Sequence, residues 1–165
     1  MINDKSRKIF IYITLVLLVF AIDRISKTII LNILDDTGKV DIYVNSFFSL
    51  FLIWNKGIGF GLFSFDKSSI YNGISLIILI INFIIIYLIY LEKTPKTYFF
   101  SLILGGSLGN LFDRYYYTAV PDFIDISYKG YHWFIFNVAD IFITLGIICL
   151  ILVEFLNYKK KNDKK

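Results

Sequence analysis

An acid stands near the head of a greasy segment. Residues 134–155 read "FIFNVADIFITLGIICLILVEF", apolar almost throughout, yet Asn137 and Asp140 fall within the first seven. A carboxylate inside a bilayer costs several kcal/mol, so its presence there points to chemistry. Other polar residues interrupt apolar runs in the same way: Asp23 and Lys27, then Asn110, Asp113 and Arg114. The chemistry open to such a set is limited. Cys149 and His132 are the only residues of their types, which argues against a thiolate metal cluster or a disulfide framework. Ser26 and Lys27 are adjacent and point about 100° apart on a helix, a poor nucleophile–base pair. Two aspartates brought together remain. Like charges a few ångströms apart cannot both ionise, so such a pair shares one proton. The ionised acid then takes a proton from water and the protonated one donates to a peptide carbonyl, which is aspartic peptide hydrolysis. Asp140 is the natural first partner, and Asp113, Asp122 and Asp125 are all open as the second.

The elements that must position these acids follow from composition. The chain has 165 residues, 57% hydrophobic and 18% charged, a length that predicts one domain over residues 1–165. Residues 70–91 carry no charge. At about 1.5 Å per residue that run spans roughly 30 Å, the thickness of a hydrocarbon core. The apolar pattern predicts four transmembrane helices, near 9–31, 70–91, 98–115 and 134–157, with a basic tail at 158–165. The first follows a positive segment but lacks an A-x-A-like cleavage site, and "DRISKTIILNIL" continues it at helical spacing, so it is expected to stay uncleaved. The connection 32–69 is not a plain loop: "VDIYV" reads as strand, and aromatics recur at Phe47, Phe48, Phe51, Trp54, Phe60, Phe63 and Phe65. It predicts a small extracytoplasmic sheet and aromatic segment between helices 1 and 2, with a dipping piece around "FFSLF". The fold class is therefore all-α, membrane-embedded, with that small sheet added.

Charge placement sets the orientation. Lys5, Arg7 and Lys8, then Lys93 and Lys96, then five lysines of "KKKNDKK" would share one side of the membrane, against Lys39, Lys56, Lys67 and Lys129 on the other. That is the positive-inside pattern. Both termini are expected in the cytoplasm, and a nucleic-acid surface is not. The three polar clusters then meet near the outer leaflet. Each has a plain structural reading as well. Asp23 and Lys27, four apart, can form an ion pair on one helix face. Asn110, Asp113 and Arg114 can form a helix-end network, and Asp125 can be a solvated loop acid. Gly105, Gly106, Ser107 and Gly109 suit close helix packing better than phosphate binding. Asn137 with Asp140 is hardest to explain structurally.

These residues carry a resemblance. "DRISK" at 23–27, "NKGIGFG" at 55–61, "GGSLGNLFDR" at 105–114, "VPDFID" at 120–125 and "FNVAD" at 136–140 occur in the order found in lipoprotein signal peptidase, signal peptidase II. The chain resembles that family from the first helix to the fourth. The resemblance implies an aspartic peptidase of the bacterial inner membrane that removes signal peptides from prolipoproteins bearing a diacylglyceryl cysteine. It implies Asp122 and Asp140 as the catalytic pair, with Asp113 in support. Asp23, Lys27, Asn55, Gly106, Asn110, Arg114 and Asn137 match its polar or small site positions. Pro121 stands where the family often has an aliphatic residue, and an extended backbone suits it. No cofactor or metal is implied. The partners implied are the lipid-modified prolipoprotein and membrane lipid, and no oligomer is expected. Residues 40–65 are expected to clamp substrate above the acids. Two other classes fit acids in a membrane bundle: a small ion- or proton-coupled transporter, and a non-catalytic assembly subunit. A transporter usually places its site near the midplane at interrupted helices of paired repeats, and no repeat is evident.

Overall fold

The computed structural model describes residues 4–57, 68–92, 94–128 and 131–162. Four helices and four strands follow in the order α1 (Asp4–Thr37), β1 (Asp41–Asn45), β2 (Phe48–Asn55), α2 (Ser68–Leu91), α3 (Lys96–Tyr117), β3 (Val120–Tyr128), β4 (Tyr131–Phe136) and α4 (Val138–Asn162). Phe60, Phe63, Phe65 and most of "NKGIGFG" lie outside the described residues.

Among the described residues, three helices are long and apolar enough to cross a membrane: 6–37 of α1, 71–91 of α2, and α4. In each, fewer than a fifth of the most apolar residues are buried within the protein, so their outer surfaces suit lipid. The helix α3 is not among the three. It carries Asp113, Arg114 and several small residues, and it is the hub on which α1, α2 and α4 all pack. Close approach is the reason for its glycines. A Cβ on Gly106 would stand 2.6 Å from the carbonyl oxygen of Ala139, so only glycine lets the start of α4 sit there.

The helix ends differ from the sequence expectation for identifiable reasons. α1 runs to Thr37 rather than 31 and stops at Gly38, whose φ of +74° is free to glycine and whose amide donates to Leu34 O at 2.8 Å. α3 extends two residues at each end and stops at Thr118 in the left-handed region. α4 begins at Val138, not 134. Residues 134–136 belong to a strand, and Asn137 is the cap between the two. α4 also continues to Asn162, so Lys159, Lys160 and Lys161 form its last turn, where cations suit the helix dipole.

The sheet is larger than predicted, and it does not lie only between helices 1 and 2. Its order is β1-β2-β3-β4, all antiparallel, with two strands from the α1–α2 connection and two from the α3–α4 connection. The "FFSLF" piece enters β2, an inner strand, rather than dipping as a separate segment. A core of Ile30, Val40 and Phe123, flanked by Ile33, Leu34, Leu50, Leu52, Ile124 and Val138, fastens the sheet to the ends of α1 and α4. Burying a side chain such as Phe123 contributes roughly 1.5–3 kcal/mol, enough to hold the sheet over the helix ends.

Of the three register shifts in this sheet, two shape the surroundings of the β3 acids. Leu50 faces Ile124 and Ile53 faces Asp122, so two residues of β2 oppose the single Phe123. Ile126 faces Phe134 and Ser127 faces His132, so β4 has one extra residue between them. Side chains alternate along a strand, and one added residue moves everything beyond it to the other face. The first bulge therefore places Asn55 on the face of Asp122. The second places His132 on the face of Asp125.

Candidate active site

The polar residues of α1, α3, β2, β3 and α4 converge into one buried network. Its base is ionic. Lys27, 1% exposed, points its ammonium at Asp23 Oδ1 (2.9 Å), Asp113 Oδ2 (2.6 Å) and Asn110 Oδ1 (2.9 Å). Three acceptors satisfy its three N–H donors. Arg24 completes the set, with its guanidinium 2.8 Å from Asp23 and 2.5 Å from Asp113 and lying 4.9 Å from the Phe112 ring centroid. Two cations thus face two carboxylates. Such burial is tolerated only when every charge is paired.

Asp23 does more than pair with Lys27. Its Oδ1 accepts the Ala139 amide at 3.1 Å, one of the free N–H groups of the first turn of α4. A carboxylate at a helix N-terminus also suits the dipole. Gly109 leaves room for it, since a Cβ there would lie 2.5 Å from Asp23 Oδ2.

Asn110 passes the network on. Its oxygen faces Lys27, so its Nδ2 faces Asp140 and donates to Oδ1 at 2.9 Å. Asn137 and Asp140 cap each other: the Asp140 amide donates to Asn137 Oδ1 at 3.2 Å, and the Asn137 amide to Asp140 Oδ2 at 3.1 Å. This is a reciprocal N-terminal box, and it fixes the acid in the first turn. The remaining amide of Asn137, Nδ2, donates to Asp122 Oδ1 at 2.6 Å, and Asn55 Nδ2 donates to Asp122 Oδ2 at 2.8 Å. Asn137 therefore touches both acids. Asp122 is fully buried, while Asp140 keeps 7% exposure. Burial pushes the Asp122 carboxyl up to about 7, and the charge of Asp140 pushes the same way. The amides of Asn137 and Asn55 and the charge of Lys27 act against that rise.

Arg114 stands at the edge. Its guanidinium donates to Gly57 O and lies 5.3 Å from the Tyr71 ring centroid, while Tyr71 Oη donates to Arg114 O at 3.0 Å. It ties the end of β2 to α3 and α2.

All ten candidate residues thus fall in this assembly: Asp122 and Asp140, then Asp23, Lys27, Asn55, Gly106, Asn110, Asp113, Arg114 and Asn137. Of the acids left open as Asp140's partner, Asp113 is taken up by Lys27 and Arg24. Asp125 is on the opposite face of β3 and is 2% exposed, so it is not a solvated loop acid. Sequence reasoning missed Arg24, Tyr71 and the Ala139 amide. Arg24 had a signal, being four residues after Phe20 on one helix face, with the guanidinium 6.0 Å from that ring centroid. The other two depend on tertiary contact alone.

Residues 15–156 match the family model described as signal peptidase (SPase) II. A lipoprotein signal peptidase of Pelagibacter ubique (strain HTCC1062) is 52% identical over 164 residues, 99% of this chain and 98% of that one. That of Francisella tularensis subsp. novicida (strain U112) is 39% identical over 158 residues, covering 90% and 94%. A solved structure described as a bacterial membrane enzyme, obtained in meso at 2.3 Å resolution, superposes with a TM-score of 0.74 at 29% identity, covering 93% of this chain and 92% of that one. The chain belongs to the signal peptidase II family and is a membrane peptidase.

Proposed function

We propose that this chain is an aspartic endopeptidase that removes signal peptides from prolipoproteins whose cysteine carries diacylglycerol, cleaving before that cysteine, with Asp122 and Asp140 as its catalytic pair. One observation carries the reading. Asn137 donates to both carboxylates, and burial together with the charge of Asp140 pushes the Asp122 carboxyl up to about 7, so a proton is available to the pair near neutral pH. The ionised member takes a proton from water as that water attacks the scissile carbonyl. The protonated member donates to the carbonyl oxygen, and the proton then passes to the departing amine. Which acid holds the resting proton is a property of the coupled pair. Asn55, Asn110 and Asn137 hold the carboxylates in place, and the ion-paired base of Asp23, Lys27, Arg24 and Asp113 holds the asparagine of α3.

The membrane arrangement belongs to the same reading. α3 is the fourth crossing, buried at the hub with its polar end facing the site. Both termini are cytoplasmic, the acids lie near the outer leaflet of the inner membrane, and one chain suffices. A lipid-anchored cysteine then delivers the scissile bond at the depth of Asp140. The test is cleavage of a diacylglyceryl-modified prolipoprotein by the purified protein in detergent. Asp122→Asn and Asp140→Asn should each remain folded and lose at least about a hundredfold in rate, the lower range of acid–base contributions. Full activity in either variant would overturn the pair.

A further inference from the structure

The helices α1 and α2 both lean on α3, but among the described residues they scarcely touch each other, and a cleft of about 850 Å³ opens between them. Lys8, Tyr12 and Val16 line one wall, Ile86 and Tyr90 the other, and Leu104 of α3 closes the floor. The cleft lies at the ends of α1 and α2 away from the acids, and the hydrolytic chemistry does not use it. A volume of that order holds a small amphiphile.

In a bilayer such a cleft fills with hydrocarbon, because apolar walls facing a void lose their dispersion contacts. Depth decides which hydrocarbon. The α1 lining runs from Lys8 to Leu17, about 14 Å at helical rise, close to half of a core roughly 30 Å thick. It therefore serves a single leaflet. A signal helix delivering its scissile bond to Asp140 needs a path through both leaflets. The cleft stops at Leu17 and Ile86, six residues along α1 before Asp23.

Charge decides the headgroup. Lys8 stands at the mouth, and residues 1–8 with 92–97 carry five basic residues against two acids, a surplus of three. Glu92 also lines the mouth, but its Oε1 accepts the Thr94 amide at 3.0 Å and is engaged in the turn before α3. Basic pockets between helices on the cytoplasmic side suit anionic lipid headgroups. Tyr12 and Tyr90 add amphipathic rings at the same end, as at other membrane interfaces.

We propose that this cleft seats an anionic phospholipid of the inner leaflet, its acyl chains against Val16, Ile86 and Leu104 and its phosphate beside Lys8. The lipid fills the gap that α1 and α2 leave on α3. The assignment rests on the proposed cytoplasmic placement of both termini and is independent of the catalytic pair.

The experiment uses the full chain in phosphatidylcholine vesicles doped with one of two photoreactive lipids, a phosphatidylglycerol or a phosphatidylcholine, each with a diazirine in one acyl chain. Cross-links mapped to residues 8–17 and 86–92 should favour the phosphatidylglycerol probe at least about fivefold, the factor that one basic side chain supplies at a membrane surface. Those mapped to the lipid-facing residues 147–155 of α4 should show no such preference. Lys8→Gln should remove about fivefold of the preference. Ile13→Trp, at a lining position 54% exposed, should fill the cleft and lower labelling there by both probes. Folding of each variant is read from melting in detergent, so the result does not depend on cleavage. Equal labelling by the two probes, or a preference unchanged in Lys8→Gln, overturns the proposal. Displacement of the probe by an equimolar signal-sequence helix overturns it too, and makes the cleft a substrate groove. A cysteine replacing Ser6 that reacts with an impermeant thiol reagent outside intact spheroplasts would overturn the orientation itself, whichever probe labels the cleft.

Discussion

Lys27 reaches Asp140 through a single side chain: its ammonium holds Asn110 Oδ1 at 2.9 Å, and the amide thereby turned away donates to Asp140 Oδ1 at 2.9 Å. An asparagine alone can flip, exchanging donor and acceptor. A lysine on one side and a carboxylate on the other allow only one orientation.

Removing that lysine should therefore be severe. Lys27→Met leaves Asp23 and Asp113 with Arg24 as their one described cation, and breaking a buried pair costs about 3–5 kcal/mol. Thermal unfolding in detergent should show the loss. Adding Asp113→Asn should recover part of it, because the excess charge is gone. A double variant no more stable than Lys27→Met would contradict the pairing.

Asn137 has separable duties. Asn137→Ala loses the cap and should cost about 0.5–2 kcal/mol of stability. Asn137→Ser keeps a capping oxygen but lacks the amide that donates to Asp122. It should lose less stability than Asn137→Ala, because the cap is kept, and still lose turnover. Parallel losses of stability and turnover in the serine variant would mean that the cap alone matters.

Two of the close-approach glycines, Gly106 and Gly109, should rank in a definite order. An added Cβ at Gly106 meets backbone at Ala139 O, while at Gly109 it meets the end of the Asp23 side chain. A side chain can give where backbone cannot. Gly106→Ala should thus destabilise more than Gly109→Ala, with overpacking costs of about 1–3 kcal/mol as the scale. The reverse order, read from the same melts, would mean that α4 shifts more easily than the Asp23 carboxylate.

Asp122 sets the pH dependence. Its carboxyl rises from an ordinary value near 3.8 to about 7 on folding. The folded state therefore binds more protons between those values, and its stability falls as pH rises from about 4 to about 7, then levels. Asp122→Asn should flatten that descent and unfold at a higher temperature than wild type at pH 7. Activity of the wild type should decline above an apparent value near 7, one belonging to the pair. A stability curve unchanged by Asp122→Asn would show that the proton sits elsewhere.

Much of the helical frame was legible because lipid imposes a simple code: an uncharged run such as 70–91 has no other stable place, and polar interruptions are too costly to be accidental. The sheet was less so. β3 is buried on both faces through Val120, Pro121, Asp122 and Phe123, so it lacks the alternation that announces a strand. β4 shares its aromatic, apolar character with the helix that follows, and only Asn137, capping from outside the helix, divides them. Asp125 was misread because a loop was expected where an inner strand runs. The second acid could not be chosen by spacing. Asp113 sits in a sequence as suitable as that of Asp122, and only the position of Lys27 and Arg24 disqualifies it.

The ion-paired base also bears on how the molecule is born. Asp23 and Lys27 emerge from the ribosome with α1, whereas Asp113, the carboxylate 2.6 Å from Lys27, follows 86 residues later. Until α3 arrives, Arg24 and Lys27 outnumber the one acid beside them, and no bundle exists to bury them. The end of α1 that carries Arg24 and Lys27 should therefore wait where water or lipid headgroups reach it, and pack home once the third helix is made. Electrostatics should thereby order the assembly of this membrane protein, and a chain cut short before α3 should leave a cysteine placed at position 27 open to a water-soluble thiol reagent.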